Sequence, residues 1–167
     1  MQDVNVVIAF YSHHGLTEKL ALAEAVGAVQ GRANIRLRRL PDREAEATIE
    51  GDRMEKDYVA PREIDAVWAD AIIVGIPSRI SSLEWQGYID SLEALRSQGR
   101  LNGRIGGVFT SGSDSALPLL CGAMSRLGLM ILPPGFAATA ADAVESARLH
   151  GRRVAEVTRA LKQAGIT

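Results

Sequence analysis

One cysteine, Cys121, is present, inside the apolar run ALPLLCGAM. A single thiol closes no disulfide within the chain, and in such a setting it reads as a small core residue. Cysteine and histidine do not recur at metal-ligand spacing, so no metal site is expected. Charge of one sign is lacking as well. The formal net charge is −1, which provides no basic field for nucleic acid. Short clusters such as Arg36, Arg38, Arg39 and Arg152, Arg153 read as solvated faces. No apolar run approaches membrane-spanning length. Asp3 and Asn5 interrupt the N-terminus, and no A-x-A site follows the apolar stretch, so no signal peptide is expected. The expectation is a cytoplasmic protein with no membrane insertion and no nucleic-acid partner. Missing too are the GxxxxGK[ST] loop and the GxGxxG turn, which counts against an ATPase or a Rossmann dehydrogenase.

What the chain does have is globular composition, 47% apolar and 23% charged over 167 residues, enough for a single domain spanning 1–167. Val4 to Phe10 is a β-branched apolar run ended by polar residues, read as a buried strand. Thr17 is placed as the cap of a helix with Leu20, Ala23 and Gly27 on one face and Gly31 at its close. ANIRLRRL alternates Ile35 and Leu37 with Arg36 and Arg38, a strand with one wet face, expected at a sheet edge. Residues 41–60 read as a long connection with one helical turn, and Pro61 as the opening of a short helix carrying Ile64, Val67 and Trp68. AIIVG (71–75) and GGVFTS (106–111) read as strands around a helix over 84–97 bearing Trp85, Tyr88 or Ile89, Leu92 and Leu95. ALPLLCGAMSRL ends at Gly128, LMILPP is a last strand, and a long C-terminal helix offers Val144, Ala147, Val154, Val157 and Leu161 to the core. Strand–helix alternation throughout implies an α/β fold, a three-layer doubly wound sheet of five parallel strands. The wet second strand suits the flavodoxin-like order 2-1-3-4-5.

In such folds ligands bind beyond the carboxyl ends of the strands. Three loops there are rich in hydroxyls and glycine: SHHGLT (12–17), PSRISS (77–82) and SGSDS (111–115). In the first, successive amides at a helix N-terminus favour a phosphate. Ser12 and Thr17 add hydroxyls, and Gly15 admits close backbone approach. Seen alone, it is equally a turn and a cap. His13 and His14 are neighbours on an extended loop and point apart, with no carboxylate or cysteine at ligand spacing, so their main chain matters more than their rings. In the second loop Pro77 sets the turn, with Ser78 and Arg79 beside it; in the third, small residues admit a flat ring and Asp114 is an acceptor or a helix cap before Pro118. Together they outline a pocket for a phosphorylated flat ligand.

With these loops in hand, the chain resembles the flavodoxin-like NAD(P)H:quinone oxidoreductases related to the tryptophan-repressor-binding protein. The resemblance rests on YSHHGLT as phosphate loop, GIPSR for the family's G-T-P-T-R, VFTSGS for V-F-S-S-T-G, and LGLMILPPGF for H-G-M-V-I-V-P-x-G-Y. It implies a non-covalent FMN, its phosphate on Ser12, His13, His14, Gly15, Leu16 and Thr17. The ring would lie against Pro77, Ser78, Arg79 and Ile80 and against Ser111, Gly112, Ser113 and Asp114. It further implies NAD(P)H as electron donor, a quinone or similar small acceptor, no dedicated catalytic side chain, and a homodimer or higher homo-oligomer.

The departures lie on the substrate side. The loop after Arg79 is shorter than the family's F-G-N-M-S-G-Q, Ile80 replaces a ring-side aromatic, and Leu127 falls where the family has histidine. After Phe136 the segment containing P-Y-G-A-S/T is missing. Trp85 or Tyr58 could cover a flavin in place of the lost aromatic, although Trp85 shares its helical register with core positions. Two other functions therefore stand beside a quinone reductase: a one-electron carrier that docks to redox proteins, and a cofactor-free binding or regulatory module.

Overall fold

A computed structural model describes residues 3–43, 47–78, 83–134 and 140–167, apart from the side chains of Leu83 and Asp114. In chain order the elements are β1 (Val4–Phe10), α1 (Leu16–Gln30), β2 (Ala33–Arg39), α2 (Ile49–Asp57), α3 (Glu63–Trp68) and β3 (Ala71–Pro77). There follow α4 (Leu83–Ser91), α5 (Glu93–Ser97), β4 (Ile105–Ser111), a 3-10 turn (Asp114–Ala116), α6 (Leu117–Arg126), β5 (Met130–Leu132) and α7 (Ala140–Gln163). The five strands form one parallel sheet in the order β2-β1-β3-β4-β5, the order expected from the wet-faced edge strand.

Alternate residues of a strand face opposite sides, and here both sides are covered. Val7, Ala9, Tyr11, Ile72 and Val74 pack on one side with side chains of α4, α5 and α6. Val6, Ile8, Phe10, Ile73 and Phe109 pack on the other with those of α1 and α7. Burial on both faces is why β1, β3 and β4 read as continuous apolar runs.

The edge strand is less wet than its alternation implies. Arg36 and Arg38 both donate to the carboxylate of Asp65, which also accepts the backbone N–H of Arg62 at 2.9 Å. Arg36 lies over the Trp68 ring at 4.2 Å. Burial alone would raise the Asp65 carboxyl, but hydrogen bonds from Arg38 and the Arg62 amide overcome it and hold the group below the usual range. Its stabilisation is present above the ordinary aspartate value of about 4 and fades as pH falls through the depressed folded value. Replacing Asp65 by Ala is expected to cost about 2 kcal/mol in urea denaturation at neutral pH, because two arginines lose their common acceptor.

Several boundaries differ from the sequence reading. The one helical turn expected in 41–60 is the nine-residue α2, capped by Thr48, whose hydroxyl accepts the Gly51 amide at 2.9 Å, and anchored by the fully buried Met54. Pro61 does not open α3: the cap is Arg62 and the helix starts at Glu63, leaving Ile64 exposed. The helix over 84–97 is two. Ser91 Oγ donates to Tyr88 O at 2.6 Å, taking the acceptor that the Leu92 amide would use in an α-helix, so that amide turns to Ile89 O. The break preserves the apolar spacing, for Trp85, Tyr88, Ile89, Leu92 and Leu95 are all buried. Gly31 and Gly128 end α1 and α6 as expected. Among the described residues no helix is long and apolar enough to cross a membrane.

Candidate functional site

β1, β3 and β4 run in parallel and end at the same edge of the sheet, so their outgoing loops converge. The loop after β1 leaves through Tyr11, whose amide donates to Gly75 O at 2.9 Å. Ser12 follows, buried, its Oγ accepting the Gly15 amide at 3.1 Å. Gly15 turns the chain at φ 88°, a left-handed conformation suited to glycine, and occupies the cap position of α1. The amides of Leu16, Thr17 and Glu18 then have no backbone acceptor among the described residues, the condition of any helix start without side-chain capping.

Thr17, expected as the cap, does not cap. It lies within the first turn, buried, its Oγ1 2.7 Å from Ser111 Oγ at the end of β4. That hydroxyl pair ties the first loop to the third. The second and third are tied likewise: Ser78 N donates to Ser111 O at 3.0 Å, and Ser113 N to Ser78 Oγ at 3.0 Å. Between Ser78 and Ser113 sits Gly112 at φ 97°, where a Cβ would stand 2.7 Å from Ser78 Oγ. Only glycine keeps this junction closed without displacing Ser78.

The three loops enclose one cleft of about 520 Å³, lined by Ser12, His13, His14, Leu16, Thr17, Pro77, Ser78, Ser111, Gly112 and Ser113. Ten expected residues thus meet in one place; Gly15 belongs to the same loop without lining the cleft. Arg79 and Ile80 lie outside the described residues, as do Ser81, Ser82 and Phe136. Asp114 begins the 3-10 turn, and its side chain is not described. The cap position of α6 falls on Ala116, two residues later. The rings of His13 and His14 meet edge to face at 4.4 Å, and among the described residues no cluster of metal-ligating side chains occurs.

The two aromatics considered as covers are elsewhere. Trp85 is in the core beside Tyr88 and Ile89. Tyr58 packs edge-on against Phe10 at 5.1 Å and donates to Glu18 Oε1 at 2.7 Å. Leu127 is fully buried in the core, away from the cleft.

Four residues about the loop are not read as part of it from the sequence, and one of them, Arg39, expected on a solvated face, is buried. Arg39, 3% exposed, donates to Ser12 O at 3.0 Å and to both oxygens of Asp42. Asp42 also accepts the Tyr11 hydroxyl at 2.7 Å. Burial, then Asp42, lifts the Tyr11 phenol well above its ordinary value, so it stays a donor. Thr48 Oγ1 donates to His13 O at 3.1 Å. Beside the start of α1, Arg53 binds Glu18, Glu50 and Asp57 together. Burial would raise the Glu18 carboxyl, but hydrogen bonds from Arg53 and Tyr58 outweigh it and hold the group below the usual range. Arg53 thereby offsets carboxylates that would repel an anion at the start of α1.

Comparison with known proteins agrees with this fold. The chain superposes on a crystal structure described as the flavodoxin, WrbA-like protein from Agrobacterium tumefaciens with a TM-score of 0.68, at 24% identity over 95% of this chain and 99% of that one. In sequence it is 29% identical to the NAD(P)H dehydrogenase (quinone) of Paracoccus denitrificans, covering 94% of this chain and 95% of the relative. The chain has the flavodoxin-like fold and is similar in sequence to NAD(P)H dehydrogenases (quinone). A further enzyme of that name, from Cupriavidus metallidurans, is 36% identical over 110 residues, 64% of this chain and 55% of the relative. The Paracoccus alignment runs over 197 positions, more than the 167 residues here, so the flavodoxin-like chain is the shorter of the two. No model of a protein family matches it.

Proposed function

We propose that this flavodoxin-like protein holds FMN non-covalently in the cleft and is an oxidoreductase passing electrons from NAD(P)H to a quinone or similar small acceptor. The observation that carries the reading is the convergence of three loops, tied to one another by hydroxyls and amides, around a single cleft. Its volume of about 520 Å³ lies within the roughly 300–1,000 Å³ of ordinary ligand sites. One end suits a phosphate: the first-turn amides of α1 are without backbone partners, and the buried Ser12 hydroxyl retains its proton for a ligand after accepting from Gly15. The other end, built from Pro77, Ser78, Ser111, Gly112 and Ser113, presents small side chains and main chain to a flat ring.

FMN supplies the electron storage when bound. The chain's part is to grip the phosphate, orient the ring and exclude water, and no side chain in the cleft is assigned as acid or base. The relatives' name supplies the reaction class, and the resemblance supplies FMN as the flavin.

The visible spectrum of the purified protein, saturated with FMN and desalted, is expected to retain flavin absorbance. A folded sample that emerges colourless would sink the proposal. Anaerobic mixing with NADH or NADPH should then bleach the flavin. Retained colour that neither nicotinamide bleaches would favour the second reading, a one-electron carrier, which the shorter chain and the core position of Leu127 support. For Thr17→Ala, FMN affinity is expected to fall by about 1 kcal/mol, the scale of one hydrogen bond, with riboflavin affinity unchanged. Titration of both ligands checks this, and unchanged FMN affinity would move the phosphate away from Thr17.

A further inference from the structure

Two carbonyls of the first loop are held from behind. Arg39 Nη2 donates to Ser12 O at 3.0 Å, and Thr48 Oγ1 donates to His13 O at 3.1 Å. Ser12 and His13 line the cleft, whereas Arg39 and Thr48 do not. No cis peptide bond occurs among the described residues, and in a trans peptide the C=O and N–H of one plane point in opposite directions. A 12–13 peptide whose carbonyl faces Arg39 therefore aims the His13 amide away from Arg39, and a 13–14 peptide whose carbonyl faces Thr48 aims the His14 amide away from Thr48. Neither amide has a backbone acceptor among the described residues.

Arg39 is built for direction rather than for net charge. Its guanidinium is buried, its nearest carboxylate is Asp42 at 2.9 Å, and Asp42 is itself fixed by the Tyr11 hydroxyl. The ion pair is close to neutral as a unit, so what reaches the loop is one strong, oriented hydrogen bond. Thr48 is fixed equally well, since its hydroxyl oxygen accepts the Gly51 amide while its proton goes to His13 O.

We propose that Arg39 and Thr48 are positioning residues for the phosphate end of the cleft. By holding the carbonyls of Ser12 and His13 on the far side of the loop, they present the amides of His13 and His14 to a phosphomonoester. They thereby set how strongly the site prefers a phosphorylated flavin to an unphosphorylated one. The inference rests on the FMN reading above.

The test is a fluorescence titration of wild type, Arg39→Met, Thr48→Val and Thr48→Ser with FMN and, separately, with riboflavin. Circular dichroism melts confirm that each variant is folded. Arg39→Met and Thr48→Val are expected to lose FMN affinity roughly ten- to a hundredfold, the scale of a hydrogen bond to a charged group, while riboflavin affinity is unchanged. Thr48→Ser, which keeps the hydroxyl, should bind FMN as wild type does. Equal losses for both ligands, or no loss for either, would overturn the proposal by leaving the two residues a purely structural role. A wild type that binds FMN no more tightly than riboflavin would overturn the phosphate placement itself, a separable result. Should Arg39→Met fail to fold, the Thr48→Val and Thr48→Ser pair decides alone.

Discussion

Gly27→Ala is expected to destabilise the protein by about 3 kcal/mol or more in urea denaturation, the upper range for overpacking a tight interface. Helix propensity alone predicts the opposite sign, since alanine is favoured over glycine in a helix interior by roughly 1 kcal/mol. The tertiary contact decides. A Cβ on Gly27 would stand 1.8 Å from Arg148 O, and one on Gly151 2.1 Å from Glu24 O. Both obstacles are backbone, so no side chain can swing aside, and α1 and α7 must separate along their contact. Gly122→Ala in α6 is the control: nothing stands within 4 Å of its Cβ position, and it should be neutral or stabilising by up to about 1 kcal/mol. A Gly27→Ala protein as stable as its parent would mean that the two helices do not meet backbone to backbone.

The second large effect is expected beside the same crossing. His150 and Glu24 are both fully buried, with Nδ1 2.7 Å from Glu24 Oε1 and Nε2 2.9 Å from Leu132 O. Facing a carbonyl, Nε2 must carry a proton, and a second proton lies between Nδ1 and the carboxylate. His150→Leu leaves the Glu24 carboxyl buried without that partner and is expected to cost about 3–5 kcal/mol. Glu24→Leu/His150→Leu should recover much of it, because apolar replacement of a whole buried pair is often neutral. Burial works to depress the His150 ring, but the Glu24 carboxylate outweighs it and raises the folded pKa; burial raises the Glu24 carboxyl as well. A raised histidine contributes stability that is fully present below about 6.5 and is lost as pH rises through the folded value, because the folded state holds the proton that the unfolded chain has released. Denaturation midpoints from pH 6 upward should therefore decline in wild type relative to the double variant. Parallel curves for the two proteins would exclude a raised His150.

How much of this could be read from the chain varies with the kind of contact. VNVVIAF, AIIVG and GGVFTS declared themselves as central strands because burial on both faces leaves few polar positions, and the arginines of ANIRLRRL marked an edge. The convergence of the loops at 12–17, 77–82 and 111–115 was legible as far as the described residues go, because parallel strands necessarily deliver their carboxyl ends to one edge, whatever the side chains do there. Boundaries were less legible where a single hydrogen bond decides them. Ser91 takes the Tyr88 carbonyl and splits a helix whose apolar spacing runs on unbroken, and Met54 is the one apolar side chain by which α2 enters the core.

The polar wiring left no local trace. Thr17 meets Ser111 across 94 residues and Glu24 meets His150 across 126; Arg39 and Thr48 reach the loop after β1 from 27 and 35 residues away. Gly27 falls on the face expected to be buried, but nothing in the chain pairs it with Gly151, where α1 and α7 touch backbone to backbone. The sequence by itself determined the alternation of strands and helices, the parallel sheet with its Arg-bearing edge, and the edge at which the hydroxyl-rich loops meet, for each of these follows from burial periodicity and chain direction. Only the tertiary structure decided which hydroxyl caps and which one ties two loops together, where backbones meet without side chains, and which distant side chains hold the carbonyls of the first loop. Those contacts join residues far apart in the chain, and one partner's identity does not specify the other until the sheet brings them together.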